Sequence, residues 1–161
     1  MAEEIARIAP SAARRVLGAA TLGSLGALLI FVALFRPPPA ILPMIALLLV
    51  GFLALWLCAA FYRSTALGLV LTADELRDTG GRLVAKVENI RRVERGFLAF
   101  RPSNGFSLLL ETPEPRVWAP GLWWRIGRRV GVGGVISGAD GRGMADLIGM
   151  LVARRNGTLP G

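Results

Sequence analysis

Val16–Phe35, VLGAATLGSLGALLIFVALF, and Ala40–Tyr62, AILPMIALLLVGFLALWLCAAFY, are twenty and twenty-three residues without a charge, and only Arg36-Pro37-Pro38-Pro39 lies between them. Each is long enough to cross roughly 30 Å of hydrocarbon as a helix rising about 1.5 Å per residue. Consecutive prolines remove backbone donors and push each preceding residue out of the helical region, so no helix runs through the tip. The reading is an antiparallel hairpin of two transmembrane helices over residues 16–62. It leaves residues 1–15 as an N-terminal tail and residues 63–161 as a separate domain of about a hundred residues.

The flanks orient the hairpin. Arg7, Arg14 and Arg15 precede the first span and Arg63, Arg77 and Arg82 follow the second, whereas the tip carries Arg36 alone. Short loops rich in Lys and Arg stay on the cytoplasmic side, so both termini are expected in the cytoplasm, at a bacterial inner membrane. Trp56, Phe61 and Tyr62 lie toward the cytoplasmic end of the second span, where amphipathic rings favour the headgroup level. A signal peptide is the competing reading of the first span, because Arg14-Arg15 followed by an apolar stretch resembles a twin-arginine export signal. The stretch is longer than an ordinary signal core, however, and no small-x-small cleavage site stands beside Arg36.

Composition excludes several classes of function. Of the residues, 53% are hydrophobic and the mean hydropathy is +0.54, which suits a membrane segment joined to a globular domain. There is no histidine, so the commonest general base and metal ligand is missing, and the lone Cys58 lies within an apolar run. No metal site, no cofactor and no enzymatic activity are expected. The carboxylate clusters Asp74-Glu75, Glu88 with Glu94, and Glu111 with Glu114 sit in turns or near arginines and read as solvated surface charge. The net charge is +8, and residues 63–161 hold fifteen Lys+Arg against nine Asp+Glu, an excess of six. Such a domain faces something anionic, and a chain tethered to a bilayer meets lipid headgroups first. Nucleic acid is discounted, because Phe97, Phe100 and Phe106 fall where a domain core needs them rather than on a binding face.

After Arg63 the chain turns to short β-prone runs: Leu67–Thr72, Leu83–Val87, Ile90–Val93, Phe97–Phe100, Phe106–Glu111 and Val130–Ile136. Thr79-Gly80-Gly81, Pro102-Ser103-Asn104-Gly105 and Pro113-Glu114-Pro115 punctuate them, with Asn104-Gly105 the sharpest hairpin signal. An antiparallel meander follows. The chain then closes with an amphipathic helix, opened by Ser137-Gly138-Ala139-Asp140 as a capping box and carrying Met144, Leu147, Ile148, Leu151 and Val152 on one face. Arg154 and Arg155 suit its C-terminal dipole, and Gly157 ends it.

A membrane hairpin, a strand meander and one closing helix resemble the bacterial PH-like domain proteins, a membrane-anchored group with a pleckstrin-homology-like β-barrel. Leu69-Val70-Leu71-Thr72-Ala73-Asp74-Glu75-Leu76 looks like the family's opening strand and turn, and Lys86-Val87-Glu88-Asn89-Ile90-Arg91-Arg92-Val93 looks like its second hairpin. The resemblance implies an α+β domain over roughly residues 64–156, a PH-like antiparallel barrel or meander closed by a C-terminal helix. Gly121–Gly134 departs from it as an insert-like segment. The family carries no ligand residues that transfer position by position.

Two sets of residues are candidates for contact. Trp123, Trp124, Arg125, Arg128 and Arg129, with Arg91 and Arg92, crowd aromatic and basic groups together. They read as a structural strand and turn with solvated arginines, as an interfacial patch on anionic lipid, or as a protein-docking surface. Gly131-Val132-Gly133-Gly134 lacks the spacing of a nucleotide loop and reads as strand glycines at a bend. Ala19, Gly23 and Ala27 form a small-xxx-small face that packs against the other helix of the hairpin or against another membrane protein. The expected function is a non-enzymatic scaffold presenting the basic domain to anionic lipid or a protein partner. The alternative is an accessory or assembly subunit of a larger membrane complex, bound through the hairpin.

Overall fold

The structure, a computed structural model, describes residues 4–94 and 105–157. Two helices, α1 (Ala12–Phe35) and α2 (Ile41–Ser64), have the length and hydropathy of membrane spans, and only 11% of the most apolar window of each is buried. A core helix of a soluble domain would be mostly enclosed, so these two are apolar without being covered by the rest of the chain. Pro43 sits in the first turn of α2, where its missing N–H leaves no gap in the helical ladder.

The helices touch through backbone. A Cβ on Gly26 would fall 2.9 Å from the Gly51 carbonyl oxygen, and one on Gly51 would fall 3.3 Å from the Ile30 nitrogen. Only glycines allow so close an approach, which gives dispersion contact where lipid would otherwise compete equally well for the side chains. Nearer the domain, the Cys58 thiol donates to the Ala19 carbonyl at 3.1 Å, and Gly18 leaves room for the Phe61 ring.

Around this hairpin stand two antiparallel sheets and a closing helix. The first sheet orders β1 (Glu4–Ile8), β2 (Leu69–Thr72), β3 (Glu75–Asp78) and β4 (Leu83–Lys86) as neighbours. A short 3-10 turn, Val87–Asn89, leads to the second sheet: β5 (Ile90–Glu94), β6 (Phe106–Ala119) and β7 (Trp123–Val132). Helix α3 (Gly138–Arg155) follows; its N-cap Ser137 accepts from the Asp140 N–H at 3.1 Å, and Gly157 past its end has φ +69°. Met144, Ala145, Ile148 and Val152 bury one stripe of α3 in the core formed by Leu69, Leu71, Leu76, Ile90, Leu108, Leu110 and Val130.

The architecture is thus two long apolar helices, two antiparallel sheets and a C-terminal helix, but the sheets do not close into a barrel. Residues 1–15 are more than a tail. Glu4–Ile8 form an edge strand, with Ile8 opposite Leu69 and Arg7 opposite Val70, and α1 begins at Ala12. Five residues paired with a strand beyond both helices leave no local signal to read. Glu75–Asp78, where no strand is expected, forms β3, and Gly81 (φ +84°) lies in the turn expected at Thr79-Gly80-Gly81. Pro113-Glu114-Pro115 does not end a strand: β6 continues to Ala119. Between the pairs Leu109–Arg129 and Glu114–Gly127 β6 advances five residues and β7 two, and from there to Val117–Arg125 three and two, so Pro113 and Pro115 each occupy an irregularity where no ladder bond is needed. The strand expected at Val130–Ile136 instead runs from Trp123 to Val132. The Phe97–Phe100 run and the Pro102–Asn104 part of the hairpin signal lie outside the described residues.

The close helix contact gives a direct test. Gly26→Leu forces a branched side chain into the Gly51 carbonyl and Leu55 and should destabilise the full-length protein by about 1–3 kcal/mol, read as a lower thermal midpoint in detergent. Ala27→Leu, on an exposed face of the same helix, should leave the midpoint unchanged.

Candidate functional site

Register and bulges decide which aromatic and basic side chains reach the surface. Directly opposed residues share a face, and successive residues of a strand alternate. The row Val93–Leu108–Val130 faces the core, so the next row, Arg92–Leu109–Arg129, faces outward across all three strands of the second sheet. An irregularity between Ile90 and Arg92 leaves Arg91 and Arg92 both exposed, and Gly127 (φ +59°) precedes Arg128 and Arg129, likewise both exposed. Arg92 pairs with Glu94 at 3.1 Å; an exposed pair of this kind is worth roughly 0–1 kcal/mol and leaves the patch strongly positive.

At the far end of the β6–β7 ribbon the alternation sorts the tryptophans. Ala119–Trp123 and Val117–Arg125 are inward pairs, and Trp118–Trp124 is the outward pair between them. Trp118 and Ile126 are about half exposed, and the Trp124 ring covers Gly131, where a Cβ would run into it. The ribbon tip sits against the end of α2: Gly121 has φ +78°, and a Cβ there would meet the Phe61 ring and lie 2.9 Å from Thr65. Outward from the helix end, therefore, come Trp118 with Trp124 and Ile126, then the arginine row.

Trp123 and Arg125 do not join that surface. Trp123 is 1% exposed, its indole N–H 3.4 Å from Asp78 Oδ2 and the Arg82 guanidinium 5.7 Å from its ring centroid. Arg125 is 6% exposed and lies between the sheets. Its Nε donates to the Pro115 carbonyl at 2.9 Å, its Nη1 to the Leu83 and Val84 carbonyls at 3.2 and 3.0 Å, and it pairs with Glu114 at 2.7 Å. Asn89 completes the network, donating to Glu114 Oε1 at 3.0 Å and accepting from the Thr112 N–H at 2.9 Å. The two sheets approach here without sharing a ladder, and one guanidinium links carbonyls of β4 to the bent part of β6. Glu114 is accordingly a partner in the fold, not a solvated surface charge. Arg125 shares a strand face with Trp123 at i+2, a signal that counts only once β7 is known to begin at Trp123.

The other carboxylates are largely engaged as well. Asp78, 2% exposed, accepts from the Arg82 backbone and from Arg82 Nε at 2.9 and 2.7 Å; Glu75 pairs with Arg77 and Glu88 with Lys86. A cleft of about 450 Å³ between Asp74, Glu75, Lys86 and Arg155 has its wall fixed by Arg155, whose Nη1 and Nη2 donate to the Val87, Glu88 and Ile90 carbonyls at 2.6–2.9 Å. Of the small-residue face, Ala19 and Gly23 lie against Cys58 of α2, while Ala27 is exposed and Gly26 makes the tightest contact.

No family model, no curated protein and no solved structure matches this chain.

Arg125→Gln should cost about 3–5 kcal/mol, because it strands a partly buried carboxylate and three strand carbonyls. Arg128→Gln and Arg129→Gln, both at exposed positions, should stay within about 0.5 kcal/mol of the parent, as ordinary surface substitutions do. Thermal unfolding of the full-length protein followed by tryptophan fluorescence separates the two classes.

Proposed function

We propose that the protein is a non-enzymatic membrane-anchored scaffold whose PH-like domain holds an aromatic and basic face against the anionic headgroups of the membrane that its hairpin spans. The single observation that carries this reading is the outward sequence of Trp118, Trp124 and Ile126 followed by Arg129 and Arg92, starting beside the end of α2. Tryptophan favours the headgroup level and arginine pairs with phosphate through its planar fork, so the order matches the depth profile of a bilayer surface. Each basic side chain near an anionic leaflet contributes about 1 kcal/mol.

The bilayer-spanning reading is supported by two exposed apolar helices, and a cleaved signal is disfavoured because removing α1 would also remove β1 from the first sheet. The arginine bias of the flanks supports a cytoplasmic domain at a bacterial inner membrane as the expected topology. Four- and three-stranded antiparallel sheets followed by one closing helix support the PH-like assignment, with the hairpin inserted after the first strand. Carboxylates held by arginine, lysine, asparagine or tryptophan support a binding role over acid/base chemistry. The accessory-subunit alternative keeps the exposed Ala27 and the uncovered outer faces of both helices.

The test is extraction of the full-length protein in polymer nanodiscs with analysis of the lipids retained. Anionic phospholipid should be enriched over the bulk membrane, and the variant R91Q/R92Q/R128Q/R129Q should lose most of that enrichment. Equal lipid composition in parent and variant would overturn the lipid reading, and a stoichiometric protein recovered without lipid enrichment would favour the accessory subunit.

A further inference from the structure

We infer that a second, separate site at the helix–domain junction holds one anionic phospholipid, with Arg14 on its phosphate and an acyl chain along α1. The inference rests on the membrane-spanning reading but not on the arginine row of the second sheet. A groove of about 470 Å³ is lined by Arg14, Leu17, Thr21, Leu22, Phe61 and Val135, with Gly18 and Gly134 between them. Its volume is that of a small-molecule site. Its walls are apolar except at one end, where the guanidinium stands, and no carboxylate lines it.

The groove is built rather than incidental. The Ser11 N–H donates to the Val135 carbonyl at 2.9 Å and Arg14 Nη1 to the Ile136 carbonyl at 2.5 Å, so the loop before α3 is fastened to the first turn of α1. Gly18 lets the Phe61 ring come in as the floor, and Gly134, at φ +88° with the Gly121 carbonyl against it, keeps the loop backbone close. Thr21 spends its hydroxyl on the Leu17 carbonyl of its own helix, at 2.9 Å, and so adds no polar demand inside the groove.

Charge and position select the occupant. Arg14 keeps its full charge after donating to a carbonyl, and its neighbour Arg15 lies 4.0 Å over the Tyr62 ring, which adds a second cation at the same level. Leu17, 70% exposed, continues the apolar wall along a helix of mean-span hydropathy. A molecule that offers an anion at one end and hydrocarbon at the other, and that approaches along the helices, satisfies both ends; a phospholipid of the surrounding leaflet is that molecule.

The experiment is native mass spectrometry of the detergent-purified full-length protein, titrated with phosphatidylglycerol, phosphatidylcholine and inorganic phosphate. The parent should retain one phosphatidylglycerol, about tenfold more tightly than phosphatidylcholine, the difference expected of one charge-assisted contact. Inorganic phosphate in excess should not displace it. Arg14→Gln should bind both lipids alike, and Thr21→Trp, at an exposed position whose hydroxyl bonds only its own helix, should fill the groove and abolish retention of either. Parent retention without headgroup preference, displacement by phosphate, or retention unchanged in T21W would each overturn the inference. R92Q/R129Q should retain the lipid, which separates this site from the sheet face, and alkaline carbonate extraction of the membranes reports independently on whether the chain is integral.

Discussion

Everything in the fold depends on one pairing: β1, which precedes the helical hairpin, is laddered to β2, which follows it. The chain leaves the domain at Ser11, runs out through α1, returns through α2 and re-enters beside its own starting strand. Each helix of 24 residues is about 36 Å long at 1.5 Å per residue, so the excursion is far longer than the domain strands it separates. For a hairpin that spans a bilayer, this pairing forces both ends onto one side, whichever side that is. It also makes the helices part of the domain's connectivity: both roots, at Ser11–Arg14 and Phe61–Thr65, are packed on the loops at Gly121 and Val135.

Away from the helix roots, the two sheets meet at a seam without a shared ladder. A ladder between β4 and β7 would merge the two sheets into one, with β1 and β5 still at its edges; in its place Arg125 extends from β7 to two β4 carbonyls, with Glu114 and Asn89 satisfying the remaining groups. A buried ion pair of this kind adds little net stability over an apolar contact, yet it demands one arrangement, because any slip leaves charges uncompensated. The β6–β7 ribbon is thereby held in its bent course with its tip against α2, and the outward order of tryptophan and arginine follows from that bend.

The sequence made the two long apolar helices, their proline tip, α3 with its serine cap and the strands β2, β4 and β5 legible, because these depend on apolar length, periodicity and turn chemistry within a few residues. What it hid depends on distant partners. β1 is unremarkable until Leu69–Thr72 is beside it, and Pro113-Glu114-Pro115 reads as a break unless β7 is known to run alongside. The aromatic and basic cluster was visible, but its division was not. Trp124, Arg128 and Arg129 stay outside while Trp123 and Arg125 turn inward, a distinction of strand phase that is hidden when the strand is expected only from Val130 onward. Trp118 went unread for the same reason: its outward phase follows from pairing with Trp124.

Charge and structure are not alternatives in this chain. All but one of its nineteen Lys+Arg residues are arginine, Lys86 being the exception. Arg14, Arg125 and Arg155 each hold backbone carbonyls of a different element, a use that suits a planar fork of five donors and not an ammonium. A carbonyl satisfies the hydrogen bonds of a guanidinium without cancelling its charge. Arg14 and Arg155 therefore still contribute to the field at the surface, whereas Arg125 is compensated by Glu114. A domain built this way owes part of its positive charge to the arginines that hold it together.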